Sequence, residues 1–133
     1  MTTASIDNAL VGAWDAELTF TDGPRRGESE SLRMNLMADG LVFTTNVHSE
    51  NGRLPPAIGL WTAEGDRFSY WLNAVFNDGS GRPTMVVHAH AEGTSSSDRR
   101  TLTASGGSEF YGSSGLQVAT NHGTFLATRV ETS

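Results

Sequence analysis

The sequence predicts an all-β fold, a single up-and-down antiparallel closed barrel of about eight strands with a short N-terminal helical turn. Eight segments are rich in β-branched and aromatic residues, and several of them alternate apolar with polar side chains. After the first ten residues, no segment keeps the apolar period of about 3.6 residues that marks a helix. Tight turns and long loops also alternate strictly between the segments.

The expected elements follow in chain order. Ser5 or Asp7 can cap a short turn that carries Ile6 and Leu10. The strands are expected at 11–20, 29–38, 40–48, 57–63, 67–76, 83–93, 99–109 and 115–130.

The connections between these strands are of two kinds. Three are tight and carry residues that favour hairpin turns, at 38–40, 64–66 and 95–98. Four are longer and rich in Gly, Pro and Ser, at 21–28, 49–56, 77–83 and 110–115. In an up-and-down barrel every second connection lies at the same end, so one end should carry the tight turns and the other the long loops. A β-sandwich is the rival architecture, but its crossovers would not predict this alternation.

Composition limits what the chain can be. Its 133 residues fit one domain, residues 1–133. The absence of cysteine excludes disulfides and thiolate metal sites. A net charge of -6, with nine scattered basic residues that are all Arg, argues against a nucleic-acid partner. No window approaches the roughly 20 apolar residues of a membrane span, and no leader pattern opens the chain. We therefore predict a cytoplasmic protein without a membrane partner.

Two G-x-W motifs and one arginine fall at the tight-turn end of the predicted barrel. Gly12-Ala13-Trp14 opens the first strand, Trp61 ends a second motif on the fourth strand, and Arg129 lies near the end of the last strand. An arginine over an indole face gains about 0.5–2 kcal/mol, and its guanidinium can also bind unpaired carbonyls. We expect these residues to close the barrel floor.

On Gly12, Trp14 and Arg129 the chain resembles the lipocalin and wider calycin superfamily, whose members carry G-x-W on the first strand and a packed Arg on the last. It is shorter than secreted lipocalins. It is more similar to compact bacterial lipocalin-like barrels and to small barrel cyclases of natural-product pathways, such as allene oxide cyclase-like and spirotetronate cyclase barrels. The resemblance implies the fold and leaves activity open, since the superfamily holds carriers and enzymes alike.

Side chains on a strand alternate between its two faces, so with Trp14 inside the barrel the alternation predicts an apolar interior. The residues predicted to contact a ligand there are Trp14, Leu18, Leu32, Met34, Phe43, Trp61, Phe68, Leu72 and Phe76, with Arg53 from a long loop. These side chains either line an open cavity or fill a packed core, and the sequence leaves both open. Trp71 and Val75 must then face outward, which suggests a homodimer contact or a covering loop.

No catalytic, phosphate-binding or metal motif is present, and we predict no cofactor. His88 and His90 share a strand face, and His48 or His122 could supply a third metal ligand. Strict alternation turns the pair toward solvent, so no metal site is predicted. The candidates for proton transfer or carbonyl polarisation are Tyr70, Asn73, His88 and His122.

The long loops carry Arg25, Arg26, Arg53 and Arg82, which would suit an amphipathic ligand with an anionic end. We expect a cofactor-free cyclase or isomerase that folds and polarises an apolar, polyketide- or terpenoid-like substrate in the barrel. The alternatives are a non-catalytic carrier or sensor of a hydrophobic ligand, and a filled barrel that acts through its surface. Polar groups converging on an open cavity would favour catalysis, a wholly apolar cavity would favour carriage, and a filled interior would favour the surface role.

Overall fold

A computed structural model describes residues 8–46, 56–78 and 80–130, in which eight antiparallel strands close into one barrel. Each strand pairs with its neighbours in the chain, and β1 pairs with β8 to close the wall. The strands are β1 (Gly12–Phe20), β2 (Ser29–Leu36), β3 (Leu41–Asn46), β4 (Ala57–Glu64), β5 (Arg67–Asn77), β6 (Pro83–Ser95), β7 (Thr101–Gly112) and β8 (Gln117–Arg129). The predicted up-and-down barrel is confirmed.

A single 3-10 turn, Asn8–Leu10, precedes the barrel. Its predicted caps, Ser5 and Asp7, lie outside the described residues, as does Ile6. In the described ranges no helix is long and apolar enough to cross a membrane.

Alternation of side chains decides what lies inside the barrel. On β1, Trp14, Ala16 and Phe20 are buried while Asp15 and Glu17 face solvent, as the two-residue period predicts. On β5 the inward row runs Phe68, Tyr70, Leu72, Ala74 and Phe76, and Trp71 and Val75 point outward as predicted.

The prediction that Phe43 faces inward is wrong. Val42 and Thr44 are buried on β3, whereas Phe43 is 36% exposed on the outer wall. The register explains the difference: Leu36 at the end of β2 lies opposite Val42, and cross-strand partners share a face of the sheet. Since Leu36 is buried, Val42 must be inside and Phe43 outside.

Two buried tryptophans fill the end of the barrel that carries the tight turns. Trp14 and Trp61 have almost no exposed surface. The Nε1 of Trp14 donates to the carbonyl of Leu10 at 2.9 Å, and the Nε1 of Trp61 donates to the carbonyl of Met37 at 2.9 Å. Both indoles therefore bury a large apolar area with their polar atom satisfied. We call this end the floor, and the half of the barrel below the long loops the mouth half.

Arg129 completes the floor as predicted. Its guanidinium carbon lies 4.7 Å from the centre of the Trp14 ring. Its Nη1 donates to the carbonyl of Val11 at 3.0 Å, and its Nη2 donates to the carbonyl of Ala9. Gly12 has a φ of 137°, and a Cβ there would stand 2.8 Å from Arg129 Nη1. The glycine of the G-x-W motif thus makes room for the arginine and permits the backbone angle.

Candidate functional site

A cavity of about 90 Å³ lies in the mouth half, with Phe20, Phe76 and Phe110, near the loop ends of their strands, in its lining. It exists because small residues line up on the inner wall. In register across the sheet, Tyr70 lies opposite Ala91, Ala91 opposite Gly106, Gly106 opposite Gly123, and Gly123 opposite Phe20. Three neighbouring strands therefore contribute almost no side-chain volume at this level. At the floor, two buried tryptophans occupy the corresponding space.

Most of the lining is aliphatic or aromatic. The larger apolar residues that line it are Leu18, Phe20, Leu32, Leu72, Phe76, Val87, Phe110 and Phe125. An apolar wall of this kind favours an uncharged organic ligand over an ion, because an ion would lose its hydration without compensation.

Four inward polar side chains interrupt the apolar lining: Thr44, Tyr70, Ser108 and Asn121. His90 also borders the cavity, although its side chain is exposed on the outer side of β6. Thr44 is 5% exposed, Tyr70 7% and Asn121 8%. Within the described part of the chain, the side chains of these three residues have no hydrogen-bond partner. Buried polar groups are nearly always paired, so three unpaired groups around one cavity mark it as a binding site.

Tyr70 is held in the most defined position of the four. Its ring packs edge-on against Phe125 with ring centres 5.5 Å apart, and it lies 6.4 Å from the ring of Phe68. Burial raises the pKa of Tyr70 well above its usual value. The phenol therefore stays protonated at any physiological pH, and it can serve the cavity as a hydrogen-bond donor but not as a base.

The predicted ligand contacts divide between the two halves of the barrel. Leu18, Leu32, Leu72 and Phe76 line the cavity beside the predicted Tyr70. The remaining inward residues are packed into the core and are not in the cavity wall: Trp14, Met34, Trp61 and Phe68. Phe43 is on the outer wall. Arg53 and His48 lie outside the described residues.

Asn73, His88 and His122 are exposed on the outer wall and not in the cavity lining, so the prediction that they act on a substrate in the cavity is wrong. His88 is exposed, its Nδ1 lies within hydrogen-bond distance of Asn73 Oδ1, and its ring centre is 5.2 Å from that of Tyr111. His122 Nδ1 lies 2.7 Å from Asp22 Oδ2, in the β1–β2 loop. The β-sheet itself separates these groups from the interior, because their chain neighbours take the inward positions.

His90 also faces outward, and its Nε2 lies 2.9 Å from Glu109 Oε2. In the described ranges, no three His, Cys, Asp or Glu side chains gather where they could hold a metal ion.

An ion pair that the sequence pattern did not predict lies in the mouth half. Glu30 is 5% exposed on the inward face of β2, and Arg25 Nη2 donates to its Oε1 at 2.8 Å. Arg25 also contacts Glu28 Oε1 at 3.2 Å, and its guanidinium carbon lies 4.7 Å from the centre of the Phe20 ring. Arg25 is therefore engaged by two carboxylates, which departs from the predicted role of a free cation for an anionic ligand.

The two-residue period could have found Glu30, which is two positions before the inward Leu32. Asn121, a polar residue that the sequence also offers for orienting a carbonyl, is two positions before the inward Gly123 and does line the cavity. Thr44 was missed together with the inverted face of β3.

Comparison of the chain with protein-family models and with curated proteins finds no match. The fold and the site define a class of protein: a closed eight-stranded antiparallel barrel, compatible with a lipocalin-like barrel, with a cavity at one end. Membership of the calycin superfamily and kinship with barrel cyclases stay predictions.

Proposed function

We propose that this barrel binds a small apolar molecule in the cavity of its mouth half. The observation that carries the proposal is the contrast along the barrel axis. Trp14 and Trp61 fill the floor, whereas the small residues Ala91, Gly106 and Gly123 leave an apolar space open above it. The hydrophobic interior of a folded domain is normally packed to the density of an organic crystal. An apolar cavity left open in the interior is therefore a candidate ligand-binding site.

The size of the cavity sets the expected ligand and affinity. A cavity of about 150 Å³ in another protein admits benzene, so the 90 Å³ here suits part of a ligand whose remainder extends toward the long loops. Burial gains about 0.8 kcal/mol per methylene-sized group, and association costs several kcal/mol. A single-ring ligand should therefore bind with a dissociation constant of roughly 0.1–10 mM.

The test is a titration with toluene, followed by amide chemical shifts in nuclear magnetic resonance spectra. The proposal predicts saturable shifts at residues of the cavity wall such as Leu72, Val87 and Phe110. Ala89→Trp, which fills the cavity from β6, should abolish them. His88→Trp adds an indole at the next position on the outer wall and should leave them intact. Toluene shifts that never saturate, or that survive Ala89→Trp in a folded protein, would contradict the proposal.

Cyclisation or isomerisation of the bound molecule is the second candidate function. It is supported by a protonated Tyr70 and the Asn121 amide on one cavity, since fixed donors there can polarise a carbonyl. Among the described residues the buried carboxylate is that of Glu30, and Arg25 engages it. The arrangement therefore favours a reaction that needs folding and polarisation but no proton abstraction, such as the cycloaddition of an unsaturated polyketide- or terpenoid-like ketone.

This second candidate is tested with a linear trienone that cyclises slowly in water. Wild-type protein should accelerate the reaction, and Tyr70→Phe should reduce the acceleration by about tenfold or more while the trienone still binds. Binding without any acceleration would show that the barrel is a carrier.

A further inference from the structure

We infer that the ligand of the cavity is a neutral carbonyl compound, and that the barrel discriminates against both the matching hydrocarbon and the matching carboxylate. This inference rests on the proposed function and names the class of ligand. It follows from two independent features: the unpaired polar groups within the cavity, and the paired charges at its mouth.

The unpaired groups select a ligand with an oxygen acceptor. Tyr70, Thr44 and Asn121 are each more than nine-tenths buried, and in the described chain their side chains have no partner. The Tyr70 phenol donates better than it accepts, because its oxygen lone pair is delocalised into the ring. A carbonyl oxygen has two lone pairs and no proton, so it can accept from Tyr70 and from a second donor together.

A hydrocarbon of the same shape would leave these donors unpaired. One hydrogen bond between neutral groups is worth about tenfold in binding when its loss leaves a buried partner unsatisfied. We therefore expect about a tenfold preference for a ketone over an isosteric alkene, through Tyr70.

The mouth disfavours an anion. In the described ranges, no Arg side chain lines the cavity, and the one arginine stacked on a lining residue, Arg25 over Phe20, is already bound to Glu28 and Glu30. Glu30 is itself buried on the inward face of β2. A ligand carboxylate in the cavity would lose its hydration near the buried Glu30 carboxylate, and among the described residues no arginine lines the cavity to compensate it, so its affinity should fall at least tenfold below that of the neutral ketone.

Three probes of equal heavy-atom count separate the preference for a carbonyl oxygen from the discrimination against a negative charge. Acetophenone carries a carbonyl group, α-methylstyrene replaces the carbonyl oxygen with a methylene group, and benzoate replaces the methyl group with a charged oxygen. Dissociation constants come from amide chemical shifts at pH 7. We expect acetophenone to bind about tenfold more tightly than α-methylstyrene and at least tenfold more tightly than benzoate.

Variants assign the preference to residues. Tyr70→Phe should remove most of the advantage of acetophenone and leave the affinity for α-methylstyrene unchanged or higher. Tyr111→Phe is the matched control, because Tyr111 is the other tyrosine of the chain and pairs on the outer wall with Val86 and His88. Glu30→Gln should release Arg25 from one carboxylate and improve benzoate binding severalfold.

The outcomes distinguish the inference from the proposed function. Equal affinities for acetophenone and α-methylstyrene, or an acetophenone advantage that survives Tyr70→Phe, would overturn the inference and leave the proposed function standing. Benzoate as the tightest ligand would also overturn it. If all three probes fail to bind the folded protein, the proposed function fails and the inference fails with it.

Discussion

The floor and the mouth half of this barrel are built from the same strands, yet they treat polar groups in opposite ways. At the floor, the indole nitrogens of Trp14 and Trp61 and the guanidinium of Arg129 all donate to backbone carbonyls. In the mouth half, Tyr70 and Asn121 are also buried, but their side chains have no partner among the described residues. We infer that the floor is built for stability. The mouth half keeps unpaired polar groups, and the free energy that they cost the folded protein is offset when a ligand binds.

The largest expected effect comes from emptying the floor. Trp14→Ala removes a fully buried indole and should lower the free energy of unfolding by about 3–5 kcal/mol, measured by chemical denaturation. Trp71→Ala is the matched control. Trp71 is 52% exposed on the outer wall, and its loss should cost about 1 kcal/mol or less. Similar losses for the two variants would show that the floor is not the stabilising half.

A smaller effect is expected from the arginine that closes the floor. Arg129→Met keeps much of the side-chain volume but removes the contact with Trp14 and the bonds to backbone carbonyls, and should cost about 1–3 kcal/mol. Arg33→Met serves as a control, since Arg33 forms an exposed ion pair with Asp15 worth about 0–1 kcal/mol. Equal losses of unfolding free energy for the two variants in denaturant titrations would contradict a special role for Arg129 at the floor.

In the mouth half, deletion of a polar atom should leave the free energy of unfolding unchanged or raise it. Tyr70→Phe removes an unpaired buried hydroxyl, and we expect the ligand-free protein to be unchanged or up to about 1 kcal/mol more stable. Thr44→Val should behave alike, because its hydroxyl is also buried without a described partner. A loss above about 1 kcal/mol in either variant would mean that the hydroxyl is paired in solution.

The smallest effect concerns the hydrogen bonds between Asp22 in the β1–β2 loop and His122 on β8. Asp22 accepts hydrogen bonds from His122, and these lower its pKa below 3.8. Because the pKa of Asp22 is lower in the folded state, these hydrogen bonds add stability at pH above 3.8, and this contribution disappears as the pH falls through the lowered pKa. Asp22→Asn should therefore lower the melting temperature slightly at pH 7, with a gap that narrows in acid. A gap that widens in acid would contradict the assignment.

Local patterning was sufficient to predict the fold. The alternation on β1 and β5, together with the order of tight turns and long loops, predicted the closed barrel and the floor around Trp14 and Arg129. It failed at Phe43, where the face of a short strand depends on which residue of β2 lies opposite. The two-residue period says that neighbours face opposite ways, but it does not say which of them is inside.

The site was harder to predict, because it depends on register between strands that are distant in the chain. The cavity exists where Ala91, Gly106 and Gly123 lie side by side, which no single segment reveals. Residue type was a poor guide to chemistry. Histidine is a common proton-transfer residue, which favoured His88 and His122, yet the barrel places both outside, whereas Asn121, with no titratable group, lies in the cavity.

The central claim is that the mouth half, and not the floor or the outer wall, holds a ligand. A crystal structure of the protein soaked in acetophenone tests it most directly. The proposed site predicts one molecule with its ring against Leu72 and Phe76 and its carbonyl oxygen about 2.7–3.1 Å from the Tyr70 hydroxyl, with the floor around Trp14 unchanged. Acetophenone bound only on the outer wall, or a mouth half closed by its own side chains, would contradict the claim.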